Sequence, residues 1–285
     1  MIRNDRSVQA VGLGGCFYVT AYEPQKLDLR HDLQVDILTP GIYMFRRDRG
    51  DWQIEAADPT HKQISLSLNI NGRDVKIVFP SSHPLGKSIS VHPFIRAPFV
   101  KGIKVDGKSD DWNIPSAVRG LIAPWDGAVK DSTAFYVCHD KKNLYFLYEV
   151  SDTTLVYNNE KTEASVGSSD RVEFFFSKDP EMKTYYCAEI DPQGKVMDYE
   201  AHHYRKFDGG WNFKDLKLAT YIGKDSYRVE GSLSLKSLKE LGLISPEGEI
   251  RMGVYRADYF GDKDEQVIWS SWIVPEAAEP DFHIP

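Results

Sequence analysis

The chain has 285 residues, of which 41% are hydrophobic and 27% are charged, enough to bury a large core in one large or two medium domains. No window of 18 uncharged apolar residues occurs, and the N-terminus MIRNDRSVQAVGLGG lacks the apolar stretch that a signal peptide needs. The sequence therefore predicts neither a membrane-spanning helix nor a signal peptide.

Charge is distributed unevenly along the chain. Residues 1–100 hold 12 Lys and Arg against 10 Asp and Glu, so the net charge is about +2 there and about −9 in residues 101–285. Nucleic-acid binding requires a basic surface that neutralises phosphates, and no stripe of Lys and Arg with interleaved aromatics occurs. Nucleic acid is therefore not expected as a partner.

The first hundred residues contain short segments in which apolar and polar residues alternate. These segments are residues 16–22, 33–38, 42–46, 52–56, 63–70 and 74–79. Asn71-Gly72 separates the last two, and Asn-Gly between two alternating runs is typical of a two-residue hairpin. Short strands at this spacing predict an antiparallel β-sandwich.

The run from Thr39 to Val91 resembles the C-terminal β-sandwich of family 8 polysaccharide lyases, and the resemblance covers about residues 8–92. Its most recognisable pieces are Ala57-Asp58-Pro59-Thr60 and Pro84-Leu85-Gly86-Lys87. Those lyases act on uronic-acid linkages with catalytic residues on a helical toroid, and this sequence has no helical array. The resemblance therefore implies an accessory domain, with a catalytic lyase or hydrolase polypeptide as a candidate partner.

A linker is predicted at residues 93–104, where two prolines and a glycine interrupt the alternation. We therefore predict two domains, residues 1–96 and 97–285. The predicted strands of the second are residues 134–138, 143–150, 171–176, 185–190, 195–199, 216–222, 227–235, 249–259 and 266–272, with a short helix at 235–241. The prediction is an all-β protein with two antiparallel β-sandwiches, and no phosphate loop, nucleophile elbow or HExxH segment occurs.

The stretch Ser169 to Gly194, SDRVEFFFSKDPEMKTYYCAEIDPQG, alternates apolar residues with Arg171, Glu173 and Phe175. A strand here directs one apolar face inward and carries a carboxylate on the other. The order of acidic residue, Val-Glu, aromatic run, Asp-Pro and Tyr-Tyr resembles the central signature of family 9 carbohydrate-binding modules. The segment VDGKSDDWNIPSA is similar to the opening of those modules, and we expect its Trp112 to be a core residue.

The resemblance implies a non-catalytic protein that binds a polysaccharide or oligosaccharide, with an extracellular or periplasmic location. Glu173 matches the family glutamate that contacts sugar hydroxyls. Members hold the sugar between two tryptophans, whose positions fall here on Gly167 and near Phe282, and a family arginine appears as Glu189. The sequence thus departs from the family pattern in both aromatic faces.

Further ligand-binding candidates come from loops and from the last strands. Trp125, Tyr157 and Trp211 are predicted on loops that could supply a replacement aromatic face. The tail IWSSWIVPEAAEPDFHIP resembles a variant of the family; we expect Trp269 in the core and a loop carrying Trp272, Phe282 and His283 outside it. Arg256, Asp258 and Tyr259 form a last candidate group, because an arginine beside a carboxylate presents a fixed fork to hydroxyls. A structural ion pair is the alternative role for Arg256 and Asp258.

The same resemblance makes calcium a candidate cofactor, with ligands among Asp106, Asp140, Asp152 and Asp191, which occupy comparable turns. The alternative is that each of them is an ordinary turn aspartate.

A haem-binding redox domain of the same sandwich type, with iron ligands among Met182, Met197 and Met252, is one alternative function. Glycoside hydrolysis by Glu173 with Glu189 or Asp198 is another.

Overall fold

The computed structural model describes the backbone of residues 3–4, 8–13, 16–30, 33–48, 51–57, 64–70, 73–79, 89–91, 94–127, 129–260, 266–273, 275 and 277–285. Within these ranges almost all regular structure is β-strand. Contacts between residues divide the chain into two compact units, residues 1–94 and 95–285. No helix in the described part of the chain is long and apolar enough to cross a membrane.

The described residues of the first unit form ten strands in two antiparallel sheets. The strands are β1 Arg3–Asn4, β2 Val8–Leu13, β3 Cys16–Ala21, β4 Gln25–Arg30, β5 Leu33–Ile37, β6 Gly41–Asp48, β7 Asp51–Ala57, β8 Ile64–Ile70, β9 Arg73–Phe79 and β10 Ile89–Val91. One sheet has the order β1-β2-β3-β6-β7-β10 and the other β4-β5-β8-β9. The six predicted strands are confirmed, whereas β1, β2, β4 and β10 were not predicted.

Alternate residues of both sheets form the core of the first unit. Val19, Phe45 and Trp52 from the larger sheet pack in one buried cluster with Val35 and Leu66 from the smaller. This arrangement is the sandwich that the period-2 pattern predicts. The predicted turns at Asn71-Gly72 and Asp58-Pro59, and the segment Pro84 to Lys87, lie outside the described residues.

In the part of the second unit that the structure describes, a five-stranded and an eight-stranded sheet form an antiparallel sandwich. Its strands are β11 Val118–Arg119, β12 Ile122–Ala123, β13 Val129–Lys130, β14 Ala134–His139, β15 Asn143–Ser151, β16 Arg171–Ser177, β17 Thr184–Ile190, β18 Val196–His202, β19 Lys206–Asp208, β20 Lys217–Ile222, β21 Ser226–Ser234, β22 Arg251–Phe260 and β23 Gln266–Ser271. Helix α1 spans Leu235–Glu240 and a 3₁₀ turn spans Glu163–Ser168. The sheet orders are β11-β14-β15-β21-β20 and β13-β12-β23-β22-β16-β17-β18-β19.

The two sheets of this unit meet through aromatic rings. Phe146 of the five-stranded sheet and Phe174 of the eight-stranded sheet have ring centroids 5.0 Å apart in a T-shaped pair. Phe146 also contacts Tyr148, whose hydroxyl donates to the Glu173 carbonyl oxygen across the sandwich at 2.8 Å. All strands and the helix predicted for this unit are confirmed, and β11, β12, β13 and β19 were not predicted.

The segment that carries Trp112 covers part of the outer face of the five-stranded sheet. Trp112 is 5% exposed and packs in one cluster with Cys138 and Leu147, so the expected core role is confirmed. Its indole N–H donates to Glu230 at 2.9 Å, and the backbone N–H groups of Asp106 and Gly107 donate to the other carboxylate oxygen. One buried carboxylate therefore fixes the segment to β21.

Strand β16 is buried on both faces. Val172, Phe174 and Phe176 point into the core, as predicted, while Phe175 on the opposite face belongs to a second apolar cluster that includes Phe282 of the tail. The chain end thus packs over the outer face of the eight-stranded sheet. Glu173 lies on that outer face but is only 2% exposed.

Candidate functional site

A buried ion cluster lies on the outer face of β16 and β17. Glu173 and Glu189 are direct cross-strand partners, and Arg171 lies two residues before Glu173 on the same face. The Arg171 Nε atom is 2.8 Å from Glu173 Oε1 and 2.7 Å from Glu189 Oε2. Tyr199, on β18, donates its hydroxyl proton to Glu189 Oε1 at 2.8 Å. The alternation of three adjacent strands therefore brings these four polar side chains together.

The two carboxyl groups accept too few hydrogen bonds to stabilise a full negative charge on each of them. Burial, and then the neighbouring Glu189, raise the pKa of Glu173 to about 8 in spite of Arg171. The single proton on Arg171 Nε is directed to Glu173, so Glu189 Oε2 accepts no hydrogen bond from the described residues although it is buried. A buried acceptor without a donor is unfavourable, and the ion pair of this oxygen with Arg171 at 2.7 Å offsets part of that cost.

Aromatic and backbone groups hold Arg171 from its other side. Its guanidinium carbon lies 5.1 Å from the ring centre of Trp269, a cation–π distance. Its Nη1 atom donates to the Gly167 carbonyl oxygen at 3.3 Å and to the Tyr259 hydroxyl at 3.4 Å, and that hydroxyl donates to Gly167 at 2.6 Å. Tyr259 thus positions the arginine, and Trp269 covers it.

The chain terminus forms one wall above this cluster. Phe282 stacks on Tyr255 with ring centroids 4.1 Å apart and also contacts Trp269 and Trp125. The Tyr255 ring lies across Gly253, where a Cβ atom would come within 2.2 Å of the tyrosine hydroxyl. Glycine at this position therefore makes room for the tyrosine that receives the tail.

A cavity of about 500 Å³ opens between the tail, the 3₁₀ turn and the β18–β19 hairpin. Arg171, Glu173, Glu189 and Tyr199 line it below. Its rim and walls come from Glu163, Ala164, Met197, Asp198, Arg205, Phe207, Gly209, Trp269, Pro280, Asp281, Phe282 and His283. Phe207 is 49% exposed and stands edge-to-face with Tyr199 at 5.2 Å, so one flat ring at the rim is half free. The volume suits a small ligand.

Trp269 and Trp272 each lie on the side of the sheet that was predicted for the other. Trp272, expected outside the core, is 7% exposed and packs among the inter-sheet core residues. Trp269, expected in the core, lies on the outer face beside Phe282 and lines the cavity. Strand pairing explains this placement, because Trp269 lies directly opposite Ala257, whose side chain is on the outer face of the sheet. The positions predicted for Trp269 and for Trp272 are therefore both wrong.

Arg256 lies away from the cavity. It pairs with Val172, an inward residue, and is 2% exposed. Its guanidinium lies 2.7 Å from Asp152, 3.2 Å from Asp258 and 3.7 Å from Asp131. The prediction that Arg256 stands outside the core is wrong, because neighbouring residues of β22 alternate between faces. Arg256 and Asp258 form the structural ion pair that was the alternative, whereas Tyr259 is on the cavity's side of the sheet.

The remaining aromatic candidates hold the loops in place. Trp125 donates its indole N–H to the Ala277 carbonyl oxygen at 3.0 Å and so anchors the tail. Trp211 packs against Tyr186 and Phe213, each at 4.7 Å, next to the main core. His283 hydrogen-bonds the Tyr185 hydroxyl through Nδ1 at 3.1 Å. Neither Trp211, Trp125 nor Tyr157 lines the cavity, whereas His283 does.

Three of the proposed calcium ligands cap their own turns. Asp106 accepts from the Lys108 N–H, Asp140 from the Lys142 and Asn143 N–H groups, and Asp191 from those of Gln193 and Lys195. Turn aspartates make these bonds without an ion. These three side chains therefore give no support to a calcium site.

Asp152 lies in an acidic cluster with Asp170 and Asp258, whose carboxylate oxygens are within 4.8 Å of one another. Both oxygens of Asp170 accept backbone N–H groups, and burial raises its pKa to about 7. The Arg256 guanidinium already supplies positive charge at 2.7 Å from Asp152. The residues present therefore fit an arginine-neutralised cluster better than a calcium site.

The alternative functions find little support in the same geometry. Met252 packs against the inter-sheet core, whereas Met182 and Met197 belong to the outer cluster, so the three methionines do not converge on one site. For hydrolysis, Arg171 Nε lies between Glu173 and Glu189, in the space where a scissile bond would have to enter. Asp198 directs its oxygens to Asn212 and the Phe213 N–H.

Several cavity residues were missed by the sequence analysis. Arg171 and Tyr199 could have been found, because alternation from Glu173 and the predicted pairing of strands 171–176, 185–190 and 195–199 place them on one face. Phe207, Arg205 and Asp281 come together through contacts between loops far apart in sequence, such as the Arg205–Asp281 ion pair at 2.9 Å. No period-2 pattern predicts such contacts.

Solved structures resemble this chain, one of them with a TM-score above 0.5. A protein from Bacteroides uniformis that is considered to be carbohydrate-binding has 15% identity and a TM-score of 0.51, covering 66% of this chain and 93% of that one. A family 9 carbohydrate-binding module from Caldicellulosiruptor kristjanssonii is solved with glucose and with cellotriose. These two structures have 17% and 16% identity and TM-scores of 0.39 and 0.40, covering 61% and 62% of this chain and 82% of theirs. No curated protein matches the sequence.

Family models match both parts of the chain. The model of the polysaccharide lyase family 8 C-terminal beta-sandwich domain matches residues 1–67. The model of the carbohydrate family 9 binding domain-like family matches residues 105–274, more than half of the chain. Both resemblances are thereby confirmed, and the chain belongs to the carbohydrate family 9 binding domain-like family, a family of non-catalytic binding modules.

Proposed function

We propose that the cavity over Arg171, Glu173 and Glu189 is the carbohydrate-binding site of this module. Sugar recognition needs a flat apolar surface for the C–H face of the ring and fixed polar groups for its hydroxyls. The cavity offers both: Phe207 and Trp269 are aromatic lining residues, and the carboxyl pair lies below them. The single observation that carries the proposal is that one cavity is lined both by two aromatic rings and by a carboxyl pair that Arg171 holds.

In the proposed binding mode, the sugar lies over the carboxyl groups of Glu173 and Glu189, which line the floor of the cavity. Arg171 and Tyr199 hold both carboxyl groups in place before the ligand arrives. A site whose polar groups are already oriented loses less side-chain entropy on binding. Glu173 contributes mainly to the net charge of the carboxyl pair, because its Oε1 atom already accepts the hydrogen bond from Arg171 Nε.

Affinity is expected to be weak. Gly167 presents no ring where the family has its first tryptophan, and Phe282 is 5% exposed, so the ring that replaces the second tryptophan lies in the wall of the cavity. One half-free ring and two or three hydroxyl contacts support a dissociation constant on the order of micromolar to millimolar.

Modules of this kind act by keeping a catalytic polypeptide near its substrate, and we propose an extracellular or periplasmic role beside a lyase or hydrolase.

Calorimetric titration of the full chain with cello-, xylo-, manno- and galacto-oligosaccharides tests the proposal. Phe207→Ala should weaken binding of the best ligand by about 10-fold, the usual loss for one stacked ring. Phe260→Ala is the matched control, since Phe260 is 39% exposed and does not line the cavity. Equal affinity in both variants would place the site elsewhere, and absence of binding to every glycan would refute the function.

A further inference from the structure

We infer that the outer face of the five-stranded sheet carries a second glycan-binding site, formed by Tyr221, Arg228 and Glu149. The three residues lie on the neighbouring strands β20, β21 and β15, on the opposite side of the sandwich from the cavity. The inference rests on the proposed carbohydrate function and adds a second face for the same class of ligand.

Strand pairing places the three side chains in one row. Glu149 lies directly opposite Arg228, and Arg228 lies directly opposite Tyr221. The residues next to them in sequence, such as Val150 and Tyr227, belong to the inter-sheet core. Because successive side chains of a strand point to opposite faces, the row points outward.

Arg228 is held in place while one edge of its guanidinium group stays open. The guanidinium carbon lies 4.5 Å from the ring centre of Tyr221, a cation–π distance, and Nη1 donates to Ser109 Oγ at 2.9 Å. Nε and Nη2 donate to none of the described residues, and neither belongs to the buried polar atoms without a partner. Their N–H groups therefore form a solvent-accessible fork that can donate to two adjacent sugar hydroxyls.

Glu149 supplies an acceptor next to this fork. Its Oε2 atom accepts the Tyr136 hydroxyl proton at 2.9 Å, whereas Oε1 accepts no hydrogen bond from the described residues. Glu149 and Arg228 are thus bound by Tyr136 and Ser109 and not by each other. One sugar hydroxyl can donate to the carboxylate while the next accepts from the guanidinium group.

The ring of Tyr221 supplies the flat apolar surface. It is 49% exposed although Arg228 covers part of it. The next outward pair beside the row, Ser151 and Ser226, has small side chains that leave the row accessible. An exposed ring beside fixed polar groups is the combination that sugar recognition needs.

The row is long enough for part of a linear polysaccharide. Beyond Glu149 it continues to Ala134 on β14 and to the exposed Arg119 on β11. From β20 to β11 it crosses every strand of the sheet, a distance of about 19 Å at the usual strand spacing. Since the row is open at its side, we expect it to bind residues within a polysaccharide chain.

Charges of both signs lie along the row and beside it. The cations are Arg119, Arg228 and Lys224, and the anions are Glu149, Asp110 and Asp225. A polyanion would meet carboxylates here, whereas the hydroxyl groups of a glycan both donate and accept hydrogen bonds. The mixed signs therefore favour a glycan as the occupant of this face.

Nuclear magnetic resonance separates this site from the cavity. Cello-, xylo-, manno- and galacto-oligosaccharides would be titrated into the full ¹⁵N-labelled chain. We expect saturable shifts of the Arg228 Nε–H signal and of the Glu149 and Tyr221 amide signals. Shifts at the Trp269 indole alone would overturn the inference and leave the function of the cavity intact. No shift at either place would count against the carbohydrate function, and the inference would fall with it.

Variants in the row, read from the Glu149 amide, test the role of each group. Tyr221→Ala should weaken binding by about 10-fold, whereas Tyr221→Phe keeps the ring and should stay within about 2-fold of wild type. Arg228→Lys keeps the charge without the fork and should weaken binding severalfold. Tyr157→Ala is the matched control, since Tyr157 is 36% exposed and lies outside the row. Equal affinity in Tyr221→Ala and Tyr157→Ala would show that the row does not bind glycans.

Discussion

Phe282 lies flat on Tyr255, with ring centroids 4.1 Å apart and ring planes 16° apart. This contact joins the end of the chain to the middle of β22, and it covers the outer face of a sheet that would otherwise be open to water. Glu173 and Glu189 are buried because the tail and the loops around it cover this face. The cavity is therefore a product of the tail as much as of the strands.

Removing the Phe282 ring should destabilise the second unit. Phe282→Ala is expected to cost about 3 kcal/mol or more in free energy of unfolding, because the ring is buried among Tyr255, Trp269 and Trp125. Urea denaturation followed by tryptophan fluorescence would measure it. Phe260→Ala, at a 39% exposed ring, should change stability by less than about 0.5 kcal/mol. Equal effects of the two variants would show that the tail does not hold this face.

Glu230 is expected to be essential for the attachment of the segment around Trp112. Its carboxylate accepts three hydrogen bonds, and Glu230→Ala leaves buried donors unpaired at a cost of about 1–3 kcal/mol each. Amide exchange at Asp106 and Gly107 should accelerate in this variant, while exchange in β16 should change less. Glu230→Gln keeps one acceptor oxygen and should lie between wild type and Glu230→Ala. Unchanged exchange at both amides would contradict the role of Glu230.

The sequence predicts the strands well because the two faces of each strand lie in different environments. Val172, Phe174 and Phe176 point inward as their spacing predicts. The pattern fails where both faces are buried, since apolar and polar residues then no longer distinguish inside from outside. Trp269 and Trp272 are such a case: three positions apart, they lie on opposite faces, and the pairing of Trp269 with Ala257 decides which one reaches the cavity.

Half of the candidate site could be predicted from local spacing. Glu173 was placed on the correct face from β16 alone, and Arg171 lies on the same face by the same rule. The rest depends on contacts between distant segments, such as Arg205 with Asp281 and Tyr255 with Phe282. The inward direction of Arg256 also needed knowledge of the acidic residues Asp131 and Asp152, which come from other strands and turns.

Stability of the second unit should depend on pH through Glu173. Its pKa is raised to about 8 when folded, so between the ordinary glutamate pKa and about 8 the folded state retains a proton that the unfolded state releases. The contribution of this group is therefore present at low pH and is lost as pH rises through that range. Glu173→Gln removes the titration, so its melting temperature relative to wild type should rise between about pH 5 and 9. A constant difference would show that the pair does not retain a proton.

An added aromatic ring at the rim should strengthen sugar binding. Ala164 is exposed on the 3₁₀ turn and lines the cavity, and the neighbouring Gly167, at the position of the missing family tryptophan, has space for a Cβ atom. Ala164→Trp or Gly167→Trp should tighten binding by up to about 10-fold if the ring stacks on the ligand. Ala164→Leu adds apolar bulk without a flat ring and should have less effect. No gain from either tryptophan would mean that the ligand does not reach this rim.

The indole N–H signals of the six tryptophans test the binding site most directly. In a ¹H–¹⁵N spectrum assigned with single Trp→Phe variants, the neutral oligosaccharide that binds best would be titrated into the full chain. The account predicts a saturable shift of the Trp269 signal, which lines the cavity, while the signals of Trp112 and of Trp52 in the first unit stay in place. A shift of the Trp52 or Trp211 signal with Trp269 unchanged would contradict it.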